Sequence, residues 1–369
     1  REANAAKDIL EMPAMQVFSK HLCFTILQIF GIIKDFLRKY GFEKRTGAKD
    51  NNTSDFPPLF VSYEAFYTRN CYMRSRDIFN RPICSVPGAE IELLERKSDD
   101  FNWTYRFTGN KIKALNMGSY NYLGFAENNG PSSRAAIRSV QEDGVASCSA
   151  RGELGTQRCQ LELEALLARF LGVEAALTFG MGFATNALNI PALTGGKGTL
   201  IVSDELNHTS IILGARLSGA TIKVFKHNDA RDLEAVLRKA VLGGHPATGR
   251  PWKKIFIVVE GVYSMEGTIA PLKEIIALKK KYKAYLYLDE AHSIGALGPH
   301  GRGVVDHYGC DVRDVDILMG TFSKSFGAAG GYIAGSQRLI TFLKHSSHAH
   351  CYASSMSPPV CAQVVRTLE

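Results

Sequence analysis

Gly320-Thr321-Phe322-Ser323-Lys324-Ser325-Phe326-Gly327 is the stretch on which the reading of this 369-residue chain turns. It follows Val315-Asp316-Ile317-Leu318-Met319, an apolar run of strand length, and precedes the small residues Ala328, Ala329, Gly330 and Gly331. The pattern predicts a buried strand over 315–319 that delivers one lysine into a tight turn. A lysine at the carboxyl end of a buried strand loses hydration, so its pKa falls and its amine is free to attack a carbonyl. Taken by itself, a Ser-Lys-Ser turn reads more simply as a solvated loop.

The second deciding stretch lies upstream: Lys283-Ala284-Tyr285-Leu286-Tyr287-Leu288-Asp289-Glu290-Ala291-His292-Ser293. It is a β-rich run ending in Asp289, with His292 just beyond. In an open α/β sheet, ligands sit outside the carboxyl ends of the strands, which brings Asp289 and Lys324 to one rim. Standing alone, Asp289 would read as a helix N-cap after a strand. Together the two residues suit pyridoxal 5'-phosphate: the lysine forms a Schiff base with the aldehyde, and the carboxylate keeps the pyridine nitrogen protonated.

Between and before these stretches, helix and strand patterns alternate, the signature of a mainly parallel sheet covered on both faces. Strands are predicted over 175–179, 199–202 and 255–259, and a helix over 161–171. Gly180-Met181-Gly182-Phe183-Ala184-Thr185-Asn186 turns from strand to helix. Backbone amides left unshielded at Gly180 and Gly182 are suited to a phosphate, although the glycine spacing is not that of a dinucleotide site. His208 follows the 199–202 strand, where it would also serve as a helix cap.

The apolar segment 17–37 is richest over 22–33, shorter than the roughly 20 residues of a spanning helix, and Lys34, Asp35, Arg38 and Lys39 follow at once. An interfacial or re-entrant membrane helix is the preferred reading, and a soluble packing helix the alternative. The polar stretch 44–58 reads as a linker; its sequons around Asn51 and Asn52 are expected to be unused. An aromatic, basic arm (Phe66, Tyr67, Arg69, Tyr72, Arg74, Arg76) then leads to a turn over 80–84 and paired strands over 91–95 and 103–107. The expected division is an N-terminal segment 1–58, an arm and small β element 59–115, a large domain 116–355, and the start of a C-terminal domain from 356.

Composition is that of a globular protein, with 45% hydrophobic and 22% charged residues. The eight cysteines are scattered without a CxxC pair, which favours free thiols in a reducing compartment over a metal site. A net charge of +8 invites a nucleic-acid reading, but the cations are not interleaved with aromatics and no nucleic-acid motif occurs. A membrane surface or a polyanionic cosubstrate such as coenzyme A suits this charge better.

Asp-Glu-Ala-His-Ser at 289–293, followed by Gly-Thr-Phe-Ser-Lys-Ser-Phe-Gly at 320–327, resembles the α-oxoamine synthases, which are fold-type I pyridoxal-phosphate enzymes. The similarity runs from about Phe66 to the end and is closest to the catalytic long-chain-base subunits of the sphingolipid branch. It implies an α/β fold with a mainly parallel, seven-stranded sheet covered by helices, preceded by a membrane-associated helix. It further implies that Lys324 holds the cofactor and serves as the base, Asp289 meets the ring nitrogen, and His208 stacks on the ring and touches the substrate carboxylate. His292, Gly182, Phe183, Ser264 (near the ring oxygen) and Thr321 (on the phosphate) join them as cofactor contacts. Ser354 and Ser355 resemble a segment that reaches the neighbouring subunit's phosphate, which implies a dimer. Tyr120 and Asn121 fall in the substrate pocket; many members carry asparagine where Tyr120 stands, and a core tyrosine is the alternative.

The implied activity is an acyltransferase reaction: decarboxylative condensation of L-serine with a long-chain acyl-CoA such as palmitoyl-CoA. The product is 3-ketosphinganine, in the first step of sphingolipid biosynthesis. The implied setting is the endoplasmic reticulum membrane with the catalytic domain toward the cytosol. The implied partners there are the non-catalytic long-chain-base subunit 1 and small regulatory membrane subunits. A glycine-using synthase is opposed by Tyr120 and the apolar helix, and an inactive or regulatory subunit by Lys324. Two departures stand out. Gln160 occupies a position usually held by histidine, and the chain stops at Glu369, before the C-terminal domain that supplies the family's carboxylate-clamping arginine. A fragment or truncated isoform, not fully active by itself, is therefore expected.

Overall fold

The computed structural model describes residues 13–42 and 66–369; the predicted linker over 44–58, with its sequons, lies outside them. The chain forms two compact units, one ending at Met117 and the other running from Gly118 to Glu369.

In the first unit, α1 (Ala14–Lys39) is one unbroken helix of 26 residues. At about 1.5 Å per residue it is about 39 Å long, more than a bilayer's hydrocarbon core requires. The expectation of a segment too short to span is thereby corrected: Ser19, Lys20, His21 and Gln28 interrupt the apolar run but not the helical hydrogen bonding. Apolar residues are exposed all round it, among them Phe18, Leu22, Ile26, Ile29, Phe30, Ile32, Ile33 and Phe36. Gly31 alone is buried, where an added Cβ would lie 2.7 Å from Phe66 and 2.9 Å from Asn70. Those two residues open an irregular helical stretch, with a π turn at Thr68–Tyr72, a single α turn at Met73–Ser75 and a 3-10 turn at Arg76–Ile78. A hairpin of β1 (Glu90–Lys97) and β2 (Arg106–Leu115) follows. Its second strand starts at Arg106, not Trp103, because Asp100 accepts from the Thr104 amide at 2.9 Å and keeps that segment in the turn.

The second unit opens with α2 (Pro131–Asp143) and α3 (Arg158–Leu171), then alternates: β3 (Ala175–Phe179), α4 (Gly182–Thr194), β4 (Thr199–Asp204), α5 (Thr209–Leu217), β5 (Thr221–Phe225), α6 (Ala230–Gly243) and β6 (Lys254–Glu260). A small hairpin, β7 (Val262–Tyr263) and β8 (Thr268–Ile269), precedes α7 (Leu272–Tyr282), β9 (Tyr285–Asp289) and α8 (Val304–His307). The chain closes with β10 (Ile317–Thr321), β11 (Gly331–Gly335), α9 (Gln337–Ser346), α10 (His348–Cys351) and α11 (Pro358–Leu368). The seven-stranded sheet has the order β3-β11-β10-β9-β6-β4-β5. Only β11 runs antiparallel to its neighbours.

Side chains alternate across the strands and so feed two cores, one on each face. Leu200, Val202, Ile257, Val259, Leu286, Leu288 and Leu318 enter one; Ile201, Phe256, Val258, Tyr287, Ile317 and Met319 enter the other. β10 starts two residues later than predicted because Asp316 is used at its foot. The Asp316 carboxylate accepts from the Leu286 amide at 2.8 Å and pairs with Lys279 at 2.9 Å.

Candidate active site

The parallel strands end on one rim, and a cavity of about 430 Å³ opens there. Asp289 closes β9 and Glu260 closes β6; the two are cross-strand partners. Thr321 closes β10, Lys324 follows three residues later, and His208 lies in the turn between β4 and α5. Gly180 to Phe183 carry the chain from β3 into α4. Tyr120, Gly182, Phe183, His208, Asp289, His292, Thr321 and Lys324 all line this one cavity.

The lysine turn is held locally: Gly327 donates to the Lys324 carbonyl at 3.1 Å and Phe322 to the Gly330 carbonyl at 3.0 Å. Gly327 has φ +56°, and a Cβ there would lie 2.4 Å from the Ala126 nitrogen. Burial pushes the Lys324 ammonium below its ordinary pKa, against the opposing pull of the Asp289 and Glu260 charges. Asp289 is 3% exposed. Its Oδ2 accepts from Asn186 Nδ2 at 2.7 Å and its Oδ1 from the Ala291 amide at 2.9 Å. No helix follows Asp289, so it caps none; its carboxylate instead holds a local turn at Ala291 and takes a second, long-range donor from Asn186. Burial raises the Asp289 pKa, and these two donors oppose the rise.

Glu260, which sequence reasoning passed over, is 6% exposed and lines the same cavity. Burial, and then the Asp289 charge, push it up to about 8. Its carboxyl accepts from the His208 backbone amide. Of the two acids, Asp289 has two donors that oppose the effect of burial, while Glu260 has the His208 amide alone among hydrogen-bond donors. His208 also caps α5, with Nδ1 accepting from the Ser210 amide at 3.2 Å, and presents an edge toward Phe183 with ring centres 6.1 Å apart. The cap read from the sequence is thus present, and the same side chain lines the cavity. His292 Nδ1 meets Tyr122 Oη at 2.8 Å; burial, then the nearby Lys324 and His208 charges, lower its pKa to about 4, so it is neutral at physiological pH.

At the start of α4, an added Cβ on Gly182 would lie 2.6 Å from Thr321 Oγ1. That glycine keeps open the space over the first-turn amides. Asn186, one turn on, takes a hydrogen bond from Tyr287 Oη at 2.7 Å while donating to Asp289. Neither Asn186 nor Tyr287 was singled out as a site residue, since their partnership spans about a hundred positions.

Four predicted residues fall outside the cavity lining. Ser264 is carried to solvent by the tight β7–β8 turn, which the Gly267 amide closes onto the Tyr263 carbonyl at 2.8 Å. Asn121 Oδ1 accepts from the Ala126 amide at 3.2 Å. Ser354 bridges to Ala150, and Ser355 Oγ meets Ser147 Oγ at 2.6 Å. Gln160, at the position where histidine was expected, is fully buried and completes the N-terminal capping box of α3. Among the described residues no group of three or more His, Cys, Asp or Glu is placed to hold a metal ion.

Comparison with known proteins agrees with this geometry. The family described as aminotransferase class I and II matches residues 112–369. Human serine palmitoyltransferase 3 is 57% identical over 361 residues, which take in 97% of this chain and 65% of that protein. Long chain base biosynthesis protein 2d of Oryza sativa subsp. japonica is 49% identical over 361 residues, covering 98% of this chain and 73% of that protein. A high-resolution structure of SPT with PLP superposes with a TM-score of 0.69 at 28% identity, over 84% of this chain and 72% of that one. The chain therefore belongs to the aminotransferase class I and II family, on the branch of the serine palmitoyltransferases and long chain base biosynthesis proteins.

Proposed function

We propose that this chain is the catalytic part of a pyridoxal-phosphate-dependent acyltransferase that condenses L-serine with a long-chain acyl-CoA. Coenzyme A and carbon dioxide leave, and 3-ketosphinganine, the entry compound of sphingolipid synthesis, is formed. The observation that carries the reading is that Asp289, at the end of β9, and Lys324, in the turn after the adjacent β10, line one cavity with the N-terminus of α4. The residues present fit the cofactor. A buried carboxylate, a lysine of lowered pKa and a glycine whose Cβ would strike Thr321 match the demands of a ring nitrogen, an aldehyde and a phosphate. Lys324, Asp289, His208, His292, Gly182, Phe183 and Thr321 would hold it.

When bound, pyridoxal phosphate supplies an aldehyde that captures amines and a protonated ring that accepts the electron pair left when a Cα bond breaks. The chain's own residues supply position and proton control. Burial leaves the Lys324 amine able to lose its proton, so it can act as a nucleophile and then take the serine Cα proton. Asn186 and the Ala291 amide hold the Asp289 carboxylate at a fixed orientation, with its negative charge directed to the rim. The Glu260 carboxyl fixes the His208 backbone without adding a second negative charge to the floor. His208 and Phe183, in edge contact with each other, line the cavity together and limit the orientations open to a planar ring beside them, which is how a fold selects the bond to be broken.

We place this activity at the cytosolic face of the endoplasmic reticulum, anchored through α1, which is long and apolar enough to cross a membrane. The exposed position of Ser354, outside this chain's own cavity, is compatible with a site completed by a second subunit. The non-catalytic long-chain-base subunit 1, with small regulatory membrane subunits, is the proposed company.

The deciding experiment is Lys324→Ala, examined with added cofactor and with serine and palmitoyl-CoA. The variant should lose the visible absorbance of bound cofactor, the borohydride-reducible adduct and all product, while retaining wild-type circular dichroism. A reducible adduct on another lysine would overturn the assignment.

A further inference from the structure

A second cavity, of about 330 Å³, lies in the first unit, where the last turns of α1, the helical stretch 66–78 and the β1–β2 turn converge. Its lining includes four cations, Lys34, Arg38, Arg69 and Arg74, with Phe101 and Trp103 as its aromatic wall. Among the described residues the acid beside it is Asp35, whose carboxylate is shared between Arg38 at 3.1 Å and Arg69 at 2.9 Å. The walls are tied to one another. Arg38 reaches Asn70 Oδ1 at 3.1 Å, Asn102 Nδ2 donates to the Met73 carbonyl at 2.9 Å, and Arg76 donates to the Asn102 and Trp103 carbonyls at 2.9 Å each. Phe101 and Asn102 are held with φ of +57° and +68°, in the left-handed region, and Phe101 is 85% exposed.

We infer that this cavity binds the phosphate headgroup of an anionic phospholipid while α1 is seated in the bilayer. The inference rests on the membrane reading of α1 and specifies which lipid chemistry it meets. Two observations converge on it. The exposed apolar residues of α1 end at Phe36 and Leu37, so the Lys34 to Arg38 turn falls where an inserted helix passes from hydrocarbon to headgroups. At that level the helix presents a pre-formed, guanidinium-rich recess instead of a flat charged face. Guanidinium groups match phosphate oxygens with paired donors, and the exposed Phe101 ring, with the Lys34 ammonium 5.4 Å from its centre, is an aromatic of the kind found at membrane interfaces. Arg74 is exposed and makes no hydrogen bond or ion pair among the described residues, which leaves its donors for the ligand.

The test uses the full chain loaded with cofactor. Co-flotation is measured with vesicles of phosphatidylcholine alone and with vesicles containing a minority of phosphatidic acid or phosphatidylserine at equal surface charge. Wild type should float with neutral vesicles and bind the anionic ones more tightly. Arg74→Gln should lower that anionic gain about fivefold, and Arg69→Gln with Arg74→Gln on the order of 10- to 30-fold. Lys39→Gln removes an exposed cation of the same helix that does not line the cavity, and should leave most of the gain. Unchanged far-ultraviolet circular dichroism and unchanged flotation with neutral vesicles certify that the first unit of the variants folds. Equal losses in Arg74→Gln and Lys39→Gln would overturn the inference in favour of diffuse surface charge. Full suppression of the gain by inorganic phosphate in solution would overturn it in favour of a soluble anion. Neutral binding with no anionic gain would overturn the inference and leave the membrane reading standing. No flotation with any vesicle would remove both.

Discussion

Glu260 and Asp289 face each other across β6 and β9 as two buried acids, and what separates them is their donors. Asp289 was legible in the sequence because it ends an apolar strand and precedes His292. Glu260 ends an equally apolar strand, yet nothing in Val259-Glu260-Gly261 shows that its carboxyl turns to the His208 amide instead of to solvent. The consequence is measurable. A carboxyl whose folded pKa is raised from 4.5 to about 8 keeps, in the native state, a proton that the unfolded chain has already released. Linkage then lowers stability as pH rises through that window, and the loss is complete above about 8. Glu290, buried and raised to about 7, acts with the same sign. Glu260→Gln keeps an acceptor for the His208 amide and cannot ionise. Its denaturation free energy should match wild type near pH 5 and exceed it near pH 8.5 by on the order of a few kcal/mol. Urea titrations across that range provide the check, and parallel curves for the two proteins would show that Glu260 is ionised in the native state. Asp289→Asn should act differently, binding cofactor but slowing exchange of the serine α-hydrogen by several orders of magnitude. A normal exchange rate would remove Asp289 from its role.

At the scale of elements, α4 is the piece that connects site to core. Its N-terminus forms a wall of the cavity through Gly182, and one turn later Asn186 ties Asp289 to Tyr287. The strand-to-helix turn was readable from its glycines. The tie was not, because side-chain pairing between distant elements leaves no periodicity. The central strands were readable for the opposite reason: burial on both faces gives uninterrupted apolar runs. β11 was read only as small residues after the lysine turn. With glycines at both ends it has a weak strand signal, and its place between β3 and β10 is set by close backbone packing. Asn186→Leu should deprive a buried carboxylate of its strongest donor and leave Tyr287 Oη without an acceptor. Each unmade bond costs roughly 1–3 kcal/mol, so a destabilisation of several kcal/mol is expected. Tyr287→Phe, which leaves only Asn186 Oδ1 without its donor and keeps the bond to Asp289, should cost roughly 1–3 kcal/mol. Equal costs by chemical denaturation would mean that the Asn186–Asp289 bond adds nothing.

For the whole molecule, one contrast governs the remaining behaviour: a second unit that buries its apolar residues in two sheet-facing cores, and a first unit whose longest helix exposes them. Leu22, Ile26, Ile29 and Ile33 are 43–52% exposed. The run of apolar residues was legible in the sequence, but the length of the helix was not, since scattered polar residues break a hydropathy count without breaking a helix. Burying a fully exposed side chain of this kind contributes roughly 1.5–3 kcal/mol, so four that start about half exposed are together worth on the order of 3–6 kcal/mol. Replacing them with serine should therefore shift the protein from the membrane pellet to the supernatant after cell fractionation, even with Lys34, Arg38 and Lys39 intact. Charge attraction of about 1 kcal/mol per cation near an anionic surface is too small to hold the chain once the apolar term is gone. The cofactor spectrum at Lys324 should be unchanged, which separates loss of anchoring from loss of fold. If the serine variant stays in the pellet, resists extraction by high salt and keeps its spectrum, α1 is not the anchor and its exposed face belongs to protein packing.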